Sequence, residues 1–351
     1  MKYFYLIFVL VVIVLIGGGL YIVANQQDSG NVLSSITSTV NNVRPSKSVI
    51  SYISDKDENQ EVYLQNTDTQ LMQRVTNTRV NEFGPTLTPN ASKLAFFSEE
   101  DGFFGIWTYS LENYEKKLLS ITKATPLKMN FSPDGLLLAY LEEDEEKKEL
   151  YIINTRNSSK ERVASFVNDF SWSSDSTAII YTHNSLPSII KSEMNIRIIA
   201  ENGELDDPKT IFVGGVAPVF VGANKRIFFL DVNGENLSIV STSLRGEDYL
   251  EEFQIRIQPK DGTVYRLLKH PTEEQLLLTI SSNEQLLETM YISLEDKSAL
   301  PLSVSASNVR WNNSGEIAYV APGKNGDRQI WIRKSFESKT AQLTNEYNNW
   351  F

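Results

Sequence analysis

The chain has 351 residues, 41% of them hydrophobic, with 44 acidic against 33 basic side chains and a formal net charge of −11. That acidic surplus argues against a nucleic-acid partner, which needs clustered Lys and Arg to displace counterions. With no cysteine present, disulfides, thiolate metal sites, a cysteine nucleophile and a lipid-modified cysteine are all excluded.

The first element is an uncharged run from Tyr3 to Ala24, long enough for the roughly 20 helical residues that cross a bilayer. It predicts a transmembrane anchor over residues 1–24, with a cleaved leader as the rival reading. Lys2 precedes the run and the first charge after it is Asp28. By the positive-inside bias this gives a single-pass protein of the cell membrane with its bulk on the extracytoplasmic side. Residues 25–47, rich in Asn, Gln, Ser and Thr, predict a flexible linker with a reach of about 25 Å.

Residues 48–351 then repeat one apolar strand seven times: Ile50-Ser51-Tyr52-Ile53, Leu94-Ala95-Phe96-Phe97, Leu138-Ala139-Tyr140-Leu141, Ile179-Ile180-Tyr181-Thr182, Ile227-Phe228-Phe229-Leu230, Leu276-Leu277-Leu278-Thr279 and Ile317-Ala318-Tyr319-Val320. Their third positions lie 41 to 49 residues apart, the period of one propeller blade. Upstream, several repeats carry a strand ending in a turn, as in Asn130-Phe131-Ser132-Pro133-Asp134-Gly135 and Ser171-Trp172-Ser173-Ser174-Asp175-Ser176. Pro fixes the first turn corner there, and Asp and Gly tolerate the next. Downstream come an alternating apolar strand, such as Ile106-Trp107-Thr108-Tyr109, and a more polar one, such as Lys117-Leu118-Leu119-Ser120-Ile121-Thr122. Four short strands per repeat predict an all-β, seven-bladed β-propeller. Six or eight blades are the alternatives, because the turn phrase is lost near Phe220 and His270.

These residues resemble the TolB-type repeat, a WD40-like blade of bacterial periplasmic propellers. The resemblance rests on Phe131-Ser132-Pro133-Asp134-Gly135 with Leu138-Ala139-Tyr140, and on the closing Gln342-Leu343-Thr344. It implies a propeller that binds a protein partner of the cell envelope. The first repeat begins at Val49 without its turn-bearing strand, and Asn348-Asn349-Trp350-Phe351 aligns with Asn308-Val309-Arg310-Trp311. The C-terminus is therefore expected to donate the missing strand and close the ring.

Catalytic signals are sparse. The two histidines, His183 and His270, lie in different repeats, and no G-x-S-x-G elbow accompanies them, which argues against a Ser-His-Asp hydrolase and against zinc. With the ring closing at the last residues, no hydrolase domain is expected to follow. Inner-strand segments offer only Thr86, Asn130, Ser171 and Arg310 among apolar neighbours. No cofactor is expected, with one Ca²⁺ candidate in the alternating oxygens of Asp55-Lys56-Asp57-Glu58-Asn59-Gln60-Glu61, which otherwise reads as a solvated acidic loop.

Topology adds a second signal. The turns joining second and third strands emerge on one face of a propeller together with the links between blades. Asp55, Asp57, Glu58 and Glu61 fall there in the first blade, Glu99, Glu100 and Asp101 in the second, and Glu142, Glu143, Asp144, Glu145 and Glu146 in the third. They form a candidate docking face for a basic protein partner. The expectation is a membrane-anchored, extracytoplasmic, non-enzymatic binding or scaffolding module. A propeller lyase or glycosidase, or a carbohydrate or small-ligand sensor, with its site at the channel mouth, is the alternative.

Overall fold

The computed structural model describes residues 42–351 except 146, 185–191, 201–203, 224–225, 233–235, 259–261, 283–284 and 303–305, together with the backbone of 11–16 and 19–24. The chain divides into two units, Met1–Asn42 and Val43–Phe351. In the first, Val11–Ile16 and Gly19–Ala24 pair as an antiparallel hairpin. The helix expected over the Tyr3–Ala24 run is not among the described elements, and the rest of that run and of the expected linker lies outside the described residues. No helix among the described residues is long and apolar enough to cross a membrane.

The second unit consists of seven four-stranded antiparallel sheets, each contributing one blade. Blade 3 shows the pattern: Thr125–Phe131 is innermost, followed outward by Leu137–Asp144, Lys147–Asn154 and Lys160–Ser165. Blades 2, 4, 5, 6 and 7 repeat this order. Blade 1 is composite, because its innermost strand is Asn349–Trp350 from the C-terminus, set beside Val49–Ser54, Glu61–Asn66 and Met72–Arg74. The seven-blade count and the expected strand donation both hold, although the donated strand is only two residues long.

The repeated aromatic positions explain why the sheets stack. Tyr52, Phe96, Tyr140, Tyr181, Phe229, Leu278 and Tyr319 are all buried. Most face an apolar or aromatic partner on the third strand: Tyr63, Trp107, Tyr151, Val240, Met290 and Trp331 stand opposite all but Tyr181. Tyr52 stacks on Tyr63 at 5.7 Å and Tyr140 on Tyr151 at 5.6 Å, cross-strand pairs each worth roughly 0.2–1 kcal/mol over a pair of alanines. Neighbouring blades are also tied directly. Trp172 Nε1 donates to Asn130 O at 3.1 Å and Trp311 Nε1 to Leu268 O at 3.0 Å, each reaching back one blade.

The turn phrase works as its chemistry suggests. Ser132 Oγ donates to Asp134 Oδ1 at 2.6 Å, that oxygen accepts the Leu136 N–H, and Gly135 takes φ = +70°, a region costly for other residues. Val43, expected in the linker, is fully buried, and its N–H donates to Gln73 on the outermost strand of blade 1. Val43 therefore packs with the compact unit Val43–Phe351.

Closure is secured beyond the short strand. Asn348 donates from its backbone N–H to Asp55 Oδ1 and from Nδ2 to Asp55 Oδ2, both at 2.8 Å, and its carbonyl accepts the Asp55 N–H. Ending the chain at Tyr347 should remove this clamp, expose the edge of Val49–Ser54 and cost on the order of 3 kcal/mol, whereas Asn348→Ala alone should cost about 1 kcal/mol. Chemical denaturation of both variants checks this, and an unchanged midpoint for the truncated chain would refute a structural role for the seam.

Candidate functional site: two faces and an axial channel

Antiparallel order fixes what each face displays. Turns between second and third strands emerge with the inter-blade links on one end, here the loop face, and the turns after the innermost strands emerge on the other. The predicted acidic residues do lie toward the loop face, but the structure divides them. Glu99, Glu100, Asp101, Asp144, Glu145 and Glu58 are exposed and Glu143 is half-buried; Glu146 lies outside the described residues. Glu99 and Glu100 end a strand, Lys93–Glu100, rather than sitting in a loop. Glu142 is buried within its strand, 3.7 Å from Lys160, and so is no docking residue.

Blade 1 departs most from expectation, because its acids are absorbed into the fold. Asp55 clamps Asn348. Asp57 accepts the Tyr63 hydroxyl and pairs with Arg74 at 3.1 Å. Glu61 is fully buried, pairs with Arg74 at 2.9 Å and accepts the Thr78 N–H. Beside it, across the blade boundary, lies the equally buried Glu82, which accepts the Thr78 hydroxyl at 2.8 Å. Burial, then the neighbouring Glu61 charge, pushes Glu82 up to about 7. Glu61 suffers the same burial, but hydrogen bonds from Thr76, Thr78 and Arg74 outweigh it and hold the carboxyl below its ordinary value. The pair therefore retains one proton at pH values below about 7. The oxygens offered as Ca²⁺ ligands in Asp55–Glu61 are largely engaged by protein donors, and no group of three or more His, Asp or Glu among the described residues is disposed to hold a metal ion.

The loop face carries something the charge pattern did not announce. Phe103, Ile121, Leu127, Phe166 and Val213 are 44%, 58%, 45%, 52% and 53% exposed, all at the loop-face ends of blades 2 to 4 or in their links. Phe103 stands opposite Glu100 across the turn, Leu127 is the extra residue of a bulge between Pro126 and Lys128, and Phe166 sits in the link at φ = +58°. Apolar side chains thus alternate with free carboxylates over one arc of the rim. Lys148, 3.9 Å from Glu143, offsets part of that charge.

The axial channel opens at the opposite end as a cavity of about 400 Å³ lined by the closing residues of the innermost strands. Thr86, Asn130, Ser171 and Arg310 line it as their positions suggested, joined by Lys128, Asp169 and Lys269, which the sequence reading passed over. Period-two alternation could have found the first two: Lys128 and Asp169 lie two residues before Asn130 and Ser171 and share their side of the strand. Lys128 Nζ pairs with Asp169 at 2.5 Å and lies over the Phe170 ring. Lys269 Nζ donates to Ser174 Oγ at 3.2 Å. Arg310 donates to the Ser51 carbonyl and lies 3.7 Å over the Phe351 ring. Burial lowers the Lys269 ammonium from its ordinary value and brings the Arg310 guanidinium to about 9, still charged at neutral pH.

His270 is tied into its own turn. His270 Nδ1 accepts the N–H groups of Thr272 and Glu273, and its ring packs edge-on against Trp311. Gly315, at φ = +84°, lies so close that a Cβ there would come within 2.2 Å of His270 Nε2. His183 lies 3.4 Å from Glu193.

Residues 25–210 match the family model for the TolB beta propeller domain. No curated protein matches the chain in sequence. Among solved structures, the β-propeller domain of the Trilobed protease from Pyrococcus furiosus, which has an open velcro topology, superposes with a TM-score of 0.59 at 16% identity, over 88% of this chain and 97% of that one. An oligogalacturonate lyase from Vibrio parahaemolyticus gives 0.56 at 12% identity, over 86% and 85%. TolB from Acinetobacter baumannii gives 0.49 at 16% identity, over 81% and 72%. At these identities the likeness is one of fold.

The Glu61–Glu82 pair makes stability depend on pH in a stated direction. Glu82 holds its proton up to about 7 when folded, against 4.5 as the ordinary value, so the stabilising proton is fully bound below that lower value and is lost as pH rises through 7. Unfolding free energy should fall by on the order of 2 kcal/mol between pH 5 and pH 8 from this pair. Glu82→Gln should flatten that fall, as read from denaturant midpoints at the two pH values; an equally steep dependence in the variant would place the titration elsewhere.

Proposed function

We propose that this chain, which belongs to the TolB β-propeller domain family, is a non-enzymatic, membrane-anchored binding module of the cell envelope that docks a protein partner on its loop face. The observation that supports this reading is the arc of blades 2 to 4, where Phe103, Ile121, Leu127 and Phe166 are exposed among Glu99, Glu100, Asp101, Asp144 and Glu145. Large exposed apolar side chains beside uncompensated carboxylates suit a segment of complementary make-up, apolar and rich in Lys and Arg. Their charges steer the encounter, and the apolar contacts hold the complex once formed.

Anchoring rests on the uncharged Tyr3–Ala24 run. A two-stranded hairpin leaves two open edges that lipid cannot satisfy, so insertion would require the run to become helical.

A photoreactive residue at position 166 should trap a discrete envelope protein through a basic segment identifiable by mass spectrometry, whereas the same probe at Leu250, near the other face, should not. Replacing Glu99, Glu100, Asp101, Asp144 and Glu145 by Gln or Asn should cut the rate of trapping about tenfold at low salt and much less at high salt. Equal trapping from both faces, or no effect of the neutral set, would remove the docking face.

The anchor should leave the protein in the membrane pellet after alkaline and high-salt washing, with Met1 retained. A mature N-terminus near Asn25 would replace it with a cleaved leader.

A further inference from the structure

Two carboxyl groups meet at the boundary of blades 1 and 2. Glu61 opens the third strand of blade 1, Glu82 belongs to Asn81–Leu87, the innermost strand of blade 2, and both are buried. Each keeps one oxygen, Oε2, that no N–H or O–H of the protein reaches, and the two carboxyls lie within hydrogen-bonding reach of each other. Buried acceptors left side by side cost free energy unless a donor lies between them. A proton on Glu82 supplies that donor to both.

The link that joins the two blades, residues 75–80, is fastened to this pair by side-chain bonds. Thr78 engages both carboxyls: its N–H donates to Glu61 Oε1 at 2.9 Å and its hydroxyl to Glu82 Oε1 at 2.8 Å. Asn59 Nδ2 donates to the Val80 carbonyl and Arg74 Nε to the Thr76 carbonyl, each at 2.6 Å. Thr78 is exposed while both carboxyls are buried, so it stands between the pair and solvent. The charged and titratable groups around the pair are Arg74, Asp57 and Tyr63 on blade 1, Arg79 in the link, and Glu99, opposite Asn81 on the second strand of blade 2. Arg74 bonds to Glu61 and leaves Glu82 without a cation.

We propose that this link is a proton-operated latch: the proton shared by Glu82 and Glu61 keeps it shut, and loss of that proton frees it from Glu82 while the rest of the ring stays folded. Without the proton, two like charges share a buried site, and the Glu82 carboxylate relieves the repulsion by turning toward water, away from Thr78. Burial and the neighbouring Glu61 charge push Glu82 up to about 7, so the latch is shut at pH 6 and loosened at pH 8. Because inter-blade links emerge on the loop face, the segment that moves borders the exposed side chains of blade 2.

Hydrogen exchange read by mass spectrometry on the full chain in a neutral detergent tests this at pH 6 and pH 8, with exchange times scaled to the intrinsic rate at each pH. Protection of a peptide spanning 75–80 should fall about tenfold across that interval, the rise in open population expected one pH unit above the titration point. The link near Phe166, between blades 3 and 4, should not change. In Glu82→Gln the side-chain amide donates to Glu61 whatever the pH, so the link should stay protected at both. An equal fall in every blade would be general destabilisation and would overturn the latch, as would unchanged protection of the native link or a fall in Glu82→Gln as steep as in the native chain.

Discussion

Everything in the propeller depends on how its first sheet acquires a fourth strand. A ring of blades has no exposed edge only when its ends meet, and here the strand that closes it pairs through two residues, Asn349 and Trp350. So short a ladder cannot hold alone. The Asn348–Asp55 clamp beside it and the Arg310–Phe351 stack distribute the closure over charge, hydrogen bond and ring. The last of these couples the seam to the channel, since Arg310 also lines the axial cavity. Closure and channel electrostatics therefore share a residue.

The same geometry sorts charge by direction. Carboxylates that remain free gather on the loop-face arc of blades 2 and 3, while Lys128, Lys269 and Arg310 line the channel, which opens at the other end. Where acids approach each other within the fold, as Glu61 and Glu82 do, the structure responds with Arg74 and a retained proton rather than with exposure.

Much of this was legible in the sequence. The recurring aromatic of the second strand and the Ser-Pro-Asp-Gly turn state their roles locally, because each is fixed by alternation or by turn chemistry within a few residues. What was hidden depends on partners distant in the chain. Nothing near Glu61 says that Arg74 folds back onto it from the outermost strand, so the first acidic loop looked free. Lys269 falls where the turn phrase is lost near His270, so nothing local placed it at the channel until seven inner strands were set around one axis. Leu127 is exposed because of a bulge that its flanking residues do not advertise, and Phe166 because its link adopts a left-handed backbone.

Both ends of the propeller meet in one blade. Val43 enters buried against the outermost strand of blade 1 through Gln73, and the chain finishes on the innermost strand of that same blade. Tension applied to the residues before Val43 is therefore delivered to the sheet that contains the seam, crossing its outer strands before any other blade feels the load. Mechanically, blade 1 is the fuse of the ring: a pull from the N-terminal side reaches the weakest ladder first, and the six covalently continuous blades are shielded behind it.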